Sequence, residues 1–315
     1  MYKVLVIGCG NIGSQYDMYN SEIQTHVKAW SLKSEVDLFV YDLNAQLAVQ
    51  VASQYQCEIV PIIDISTLAK FDFVSICTPT NTHFELIEKA IAANVKIIIC
   101  EKPISNDLID LEQIKKIYSK GQSKIIVNYI RRFLPAYGEL KELIQSIIIN
   151  ESVTNVSVRY QRGFVNNCSH AFDILEYLFD SSINLTDIQV HNKVFDHFKD
   201  DATLSLQANW NDINFNILGL SNISFAHFEV DVYSKHYKIS IKNSGNVIEV
   251  FNSQEKGNVL QPLIIQSDLR KENCLKDYMK FVTDYAMHLI NRVASGDNFL
   301  NSVELNQKML NYKNN

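Results

Sequence analysis

The chain has 315 residues, 47% of them hydrophobic and 20% charged, with a formal net charge of -6 at pH 7. This length and balance describe an ordinary globular protein with material for two cores. They exclude a polybasic nucleic-acid binder, whose phosphate-contacting face needs an excess of Lys and Arg.

No run approaches the ~18 unbroken apolar residues of a membrane helix. The opening apolar run, Val4-Leu5-Val6-Ile7, is too short for a signal-peptide core and leads into a glycine turn instead of a cleavage site. The six cysteines (Cys9, Cys57, Cys77, Cys100, Cys168 and Cys274) form no C-x-x-C pair and no Cys/His cluster with ligand spacing. They read as reduced, buried thiols of a cytoplasmic protein with no metal and no membrane partner.

In chain order, strands are expected at Tyr2–Ile7, Asp37–Tyr41, Phe73–Cys77, Val95–Cys100 and Lys124–Asn128. Helix-period stretches separate them at Ala45–Tyr55, Thr82–Ala93 and Leu108–Lys120. Continuous Val/Ile runs alternating with helices predict an N-terminal Rossmann domain, a doubly wound parallel sheet. After an amphipathic helix around Ala136–Ile148 the rhythm becomes period 2: Val156, Val158, Tyr160; Leu204, Leu206, Ala208, Trp210; Phe228, Val230, Val232; Ile239, Ile241. That alternation predicts a C-terminal α/β domain with a large, mostly antiparallel open sheet, interrupted by helices near His170–Phe179 and Leu275–Val293. The expected division is 1–127 for dinucleotide binding and 128–315 for substrate binding and oligomerisation.

Gly8-Cys9-Gly10-Asn11-Ile12-Gly13 fits G-x-G-x-x-G and follows the first strand. The first glycine permits the tight turn, the second lets backbone approach a pyrophosphate, and the third allows close helix–strand packing. The second strand ends at Asp42, where a carboxylate accepts hydrogen bonds from adenosine ribose hydroxyls and repels a 2′-phosphate. No Lys or Arg follows, so NAD is expected and NADP disfavoured. Gly13 and Asp42 stand further apart than the usual ~20 residues, which implies an extended first turn or helix around Ser14–Ser34. Asp42 is also a candidate helix N-cap.

Three further segments carry chemistry. Thr78-Pro79-Thr80-Asn81-Thr82-His83 and Glu101-Lys102-Pro103 follow strands, at the carboxyl ends where open parallel sheets bind ligands. Asn166-Asn167-Cys168-Ser169-His170, with Asp173 one turn later, opens a helix in the second half. With the glycine turn and Arg132-Phe133 and Pro135, these segments resemble, in order and spacing, the Gfo/Idh/MocA (glucose–fructose oxidoreductase / inositol dehydrogenase) family.

The resemblance implies a dehydrogenase or reductase acting on CH–OH groups, and a sheet that forms homodimers or homotetramers. It implies that Lys102 lies beside the reacting carbon and nicotinamide, that His170 is the general acid/base, and that Asn166 binds substrate. It places Thr78, Pro79, Thr80, His83 and Glu101 on the cofactor side, although a helix-start histidine such as His83 is as readily structural. Asp173, Tyr129 and Arg132 are candidate substrate contacts, with Arg132 equally suited to pairing with a carboxylate. Only Gly163 survives of a glycine-rich segment that often precedes the histidine in the family.

Independently of the resemblance, oxidation of a C–H carbinol needs a base for the hydroxyl proton, and histidine titrates near neutrality. An ammonium stabilises the developing alkoxide. The resemblance implies a small carbohydrate-like substrate: a sugar, a nucleotide-linked sugar or a cyclitol. Arg159, Arg162 and Lys193 are candidates for a substrate diphosphate. Two other readings stay open: a non-catalytic dinucleotide-binding sensor on the same fold, and a reductase of a non-sugar ring such as an imine or tetrapyrrole.

Overall fold

Short Val/Ile-rich runs alternating with helices build the first sheet of the computed structural model, which describes residues 1–253, 260–294 and 296–314. Its strands are β1 (Tyr2–Ile7), β2 (Val36–Tyr41), β3 (Glu58–Ile59), β4 (Phe73–Ile76), β5 (Ile97–Cys100) and β6 (Lys124–Val127). All pair in parallel in the order β3-β2-β1-β4-β5-β6, the Rossmann arrangement. β4 and β5 are buried along their whole length because helices cover both faces, which is why they lack alternation in sequence.

The helices of this half are α1 (His26–Ser31), α2 (Ala45–Tyr55), α3 (Ile65–Leu68), α4 (His83–Ala92) and α5 (Leu108–Tyr118). Chain order reverses between β1 and β4, so the crevice at their carboxyl ends is the topological switch point.

The second half begins with α6 (Pro135–Asn150), β7 (Val153–Tyr160), α7 (Ser169–Phe179) and β8 (Thr186–Val194). It continues with β9 (Thr203–Trp210), β10 (Ile213–Gly219), β11 (Phe228–Ser234), β12 (Tyr237–Lys242), β13 (Val247–Asn252) and β14 (Ile264–Ile265). These eight strands form one sheet, β14-β13-β12-β11-β7-β10-β9-β8, antiparallel except for the β7–β10 pair. The period-2 residues face the core as expected: Val156, Val158, Tyr160, Leu204, Leu206 and Trp210 are buried. α7 lies on this face through Phe172 against Phe215, with ring centroids 5.6 Å apart, and Phe179 against Trp210 at 5.2 Å.

The chain closes with α8 (Tyr278–Ile290) and α9 (Phe299–Asn314). The two compact units are Met1–Phe133 with Asp277–Gln307, and Leu134–Lys276 with Lys308–Asn315. The expected contiguous division at 127/128 differs from these units because the chain returns to its beginning. Met279, Val282, Ala286, Met287 and Leu289 of α8 share one core with Val4, Val6, Trp30, Phe73 and Ile97. A helix stripe reads the same from sequence whichever core it joins. α9, β3 and the exposed edge strand β8 are further elements that the sequence pattern left unassigned.

All six cysteines are free thiols, and all but Cys57 are buried. Among the described residues, no helix is long and apolar enough to cross a membrane.

Candidate active site

In the first unit the glycine turn follows β1 directly. Gly8 has φ +97°, and a Cβ there would sit 2.8 Å from the Cys77 carbonyl oxygen, so only glycine fits. A Cβ on Gly13 would collide with the Gly8 carbonyl oxygen, the close packing expected of the third glycine. A Cβ on Gly10, in contrast, would meet nothing within 4 Å. The second glycine thus lies beside space that other backbone does not fill, which fits approach of a pyrophosphate.

Asn11, Ile12 and Gly13 belong to a five-residue π-helical turn, Asn11–Gln15, and the first α-helix starts only at His26. The long interval before Asp42 therefore includes a loop between Gln15 and His26. Asp17, fully buried, holds that loop by accepting from the Gln24 and Thr25 N–H groups and the Thr25 hydroxyl.

Asp42 does not cap α2. The N-cap is Asn44, whose side chain accepts from the Gln46 and Leu47 N–H groups. Asp42 Oδ2 accepts from the Cys9 N–H at 2.7 Å and Oδ1 from the Asn44 N–H at 2.7 Å, tying the glycine turn to the end of β2. Each oxygen keeps a lone pair for another donor, and the residue remains partly exposed.

The loops after β4 and β5 are joined by His83, the first residue of α4, which is 1% exposed. Its Nε2 lies 2.8 Å from the Thr78 carbonyl oxygen and its Nδ1 lies 2.9 Å from that of Pro103. Burial lowers the imidazole pKa, and the two facing carbonyls oppose that shift. Thr78 also accepts the Thr82 hydroxyl, while Pro79 and Thr80 open the short 3-10 turn that leads into α4.

Glu101 is 9% exposed. Its Oε1 accepts from His26 Nε2 at 3.0 Å and from Asn128 Nδ2 at 2.6 Å. Burial pushes its carboxyl up, but the hydrogen bond and charge of His26, the Asn128 amide and the Lys102 ammonium bring it below the usual carboxylate value. Lys102 is partly exposed, whereas Glu101, Pro103, Ile104 and Ser105 around it are buried. The N–H groups of Ile104 and Ser105 both donate to Asn306 Oδ1. Arg132 is half-buried and Tyr129 is 2% exposed.

His26, Asn128 and Asn306 were not singled out in the sequence, where His26 stands alone. Its signal is local: a histidine one turn from Trp30, on the apolar face of a short helix, must find a polar partner once buried.

The second unit holds the other cluster. Gly163, at φ +83°, leads into the π-helical turn Phe164–Cys168 and then α7. Asp201, 8% exposed, accepts from the Val165 N–H at 2.9 Å and the Asn166 N–H at 2.8 Å, fixing the turn that carries Asn166. Its carboxyl is raised by burial, against the opposing effect of those backbone donors and Lys313. His170 is partly exposed, its ring edge-on to Phe228 with centroids 6.3 Å apart, and Asp173 is 2% exposed. Asp201, another residue the sequence reading missed, is 31 residues beyond His170 and has no motif around it.

The three cations considered for a diphosphate are not gathered. Arg159 bridges Glu229 and Asp231 on β11, at 2.8 and 2.9 Å. Lys193 donates to the Lys313 carbonyl, and Arg162 is exposed at φ +67°. The acidic partners of Arg159 carry no mark in the sequence, because cross-strand partners are invisible until register is known.

Residues 2–129 match the model of an oxidoreductase family with an NAD-binding Rossmann fold. Over that segment the chain is similar to the Gfo/Idh/MocA oxidoreductase family. It is 35% identical over 147 residues to inositol 2-dehydrogenase of Rhizobium meliloti (strain 1021), a match covering 46% of this chain and 41% of that protein. It is 31% identical over 137 residues to UDP-N-acetylglucosamine 3-dehydrogenase of Acidithiobacillus ferrooxidans, covering 44% and 40%. The matches thus span about two fifths of the length of these relatives. A solved structure of UDP-N-acetylglucosamine 3-dehydrogenase from Acidithiobacillus ferrooxidans shares the fold over 99% of this chain and 96% of that one, with a TM-score of 0.76 at 17% identity.

Proposed function

We propose that this chain is an NAD(H)-dependent oxidoreductase acting on a secondary alcohol or ketone of a sugar, nucleotide-linked sugar or cyclitol. The observation that carries the cofactor half is the contrast within the glycine turn: Gly8 and Gly13 are crowded by backbone, whereas Gly10 borders open space. Gly8, Gly10, Asn11, Ile12 and Gly13 would hold the pyrophosphate, and Thr78, Pro79, Thr80, His83, Glu101 and Lys102 the nicotinamide half. Asp42 supports NAD over NADP: its carboxylate repels a 2′-phosphate, and the next residues, Leu43-Asn44-Ala45-Gln46, bring no cation to offset that repulsion.

A nicotinamide held by these residues would supply the hydride acceptor or donor. Lys102 stabilises the alkoxide by charge and hydrogen bonding, and His170 takes up or returns the hydroxyl proton. Asn166 orients the substrate, with Asp173, Tyr129 and Arg132 as further contacts. The two relatives, a cyclitol dehydrogenase and a nucleotide-sugar dehydrogenase, support the substrate class. The same reading gives a cytoplasmic homodimer or homotetramer associating through the second sheet.

The test is turnover on a panel of cyclitols, sugars and nucleotide-linked sugars with NAD and NADP. Lys102→Ala and His170→Ala should each lower kcat by about 10²–10⁴-fold while NADH still raises the melting temperature. Unchanged turnover would dismiss these two residues. Cofactor binding without turnover across the panel would make the chain a sensor, and a larger stabilisation by NADPH than by NADH would overturn the role of Asp42.

A further inference from the structure

We propose that His83 and His26 are positioning residues for Lys102, each holding one of its two chain neighbours: His26 the Glu101 carboxylate, His83 the Pro103 carbonyl. The inference rests on the reading of Lys102 as the group that stabilises the alkoxide, and adds two residues through which that lysine is fixed.

The argument starts from the run 101–105. Four of its five residues are buried and Lys102 alone is partly exposed. A loop at the end of a parallel strand is ordinarily the mobile part of the fold. Here the residues around the lysine are tied from several elements. The Glu101 N–H continues the sheet by donating to Ile76. Its carboxylate is held by His26 from α1 and by Asn128 at the end of β6. The Pro103 carbonyl faces His83 from α4, and the next two N–H groups converge on Asn306 from α9.

The two histidines differ from ordinary packing residues in how little else they do. His26 is fully buried, and its one hydrogen-bonding nitrogen is aimed at Glu101. Its Nδ1 has no partner among the described residues, a cost that a hydrophobic residue on the α1 face would not carry. The two nitrogens of His83 reach carbonyls on the two loops that follow adjacent strands, Thr78 after β4 and Pro103 after β5.

Chemically, a long lysine stem can serve a developing alkoxide only if its backbone is fixed, because a displacement of about 1 Å costs about 10²-fold in rate. Holding the backbone on both sides removes that freedom without touching the ammonium. The substrate then meets a charge whose backbone is preorganised.

The test uses pairs of amide substitutions that keep one ring contact and lose the other. His83→Asn retains a donor near the Nδ1 position that faces Pro103, whereas His83→Gln retains one near Nε2 and Thr78. His26→Gln retains the donor to Glu101, and His26→Asn loses it. In the full-length protein, the rate of Lys102 acylation by an amine-reactive ester is followed by peptide mass spectrometry. Alongside it, kcat, KM and the NADH dissociation constant are measured.

The expected result is that His83→Gln and His26→Asn change the Lys102 acylation rate by about threefold or more and lower kcat by about tenfold. KM and NADH affinity change less than kcat, and His83→Asn and His26→Gln keep more of the wild-type acylation rate and kcat than the other member of each pair. Equal acylation rates within each pair would overturn the proposal, as would losses confined to NADH affinity. If acylation follows the expected pattern but no panel substrate is turned over by the wild type, the clamp stands and the reading of the enzyme's function fails.

Discussion

Glu101 in the first unit and Asp201 in the second are both acids almost removed from solvent, and each holds a segment carrying a proposed site residue. Their carboxyls nevertheless shift in opposite directions, Glu101 below and Asp201 above the usual range. Burial acts alike on both by disfavouring the charge. The difference lies in the donors. Glu101 receives an imidazole and a side-chain amide on one oxygen and has an ammonium as its chain neighbour. Asp201 receives two backbone N–H groups, one on each oxygen, with the Lys313 charge a smaller influence. Backbone donors satisfy hydrogen-bonding capacity but carry no net charge to offset desolvation. The first unit therefore holds a stabilised anion beside a lysine, and the second uses an acid as a staple for a turn.

The largest consequence concerns truncation. Glu101→Ala strands a buried imidazole and a buried amide, and should lower unfolding free energy by about 3 kcal/mol. Asp201→Ala strands two backbone N–H groups but also releases a carboxylate from an unfavourable burial, so about 2 kcal/mol is expected. Denaturant titrations of the two variants under one condition check the order. If Asp201→Ala were the more damaging, the account of Glu101 as the better-stabilised anion would fail.

A smaller change should narrow the contrast. Asn128→Leu removes one of the two donors on Glu101 Oε1, costing about 1 kcal/mol of stability. The Glu101 carboxyl should then titrate at higher pH than in the wild type, as read from its side-chain carbon resonance. An unmoved titration would mean that His26 and Lys102 alone set it.

This contrast was only half legible in the sequence. Glu101 announces itself because the E-K-P run follows an apolar strand, and parallel topology makes a strand's carboxyl end a site. The same rule located Gly8, Asp42 and Thr78, all of which stand at the ends of β1, β2 and β4. Partners that arrive from other elements carry no such mark. His26 is 75 residues from Glu101 and Asp201 is 35 from Asn166. Nothing in local period or composition ties them together, because the pairing is a product of packing. The return of α8 to the first core escaped for the same reason.

The smallest expected effect, and the most direct on the comparison, is the dependence of stability on pH. A carboxyl whose folded pKa is depressed contributes stability that is fully present above its unfolded value of about 4.3, and loses it as pH falls through the lower folded value. Glu101 is of this kind. A carboxyl whose folded pKa is raised binds its proton more tightly when folded. Its ionisation therefore subtracts stability as pH rises from the unfolded value of about 3.9 through the higher folded one. Asp201 is of this kind.

Glu101→Gln and Asp201→Asn remove each titration with little change in shape. Melting temperatures of both variants and the wild type, taken across the acid range, give two difference curves. Glu101→Gln should fall further behind the wild type as pH rises towards about 4.3, because only the wild type gains from ionising. Asp201→Asn should move the other way above about 3.9, improving relative to the wild type. Curves with slopes of the same sign would show that desolvation governs both acids, and that the donors around Glu101 do not reverse it.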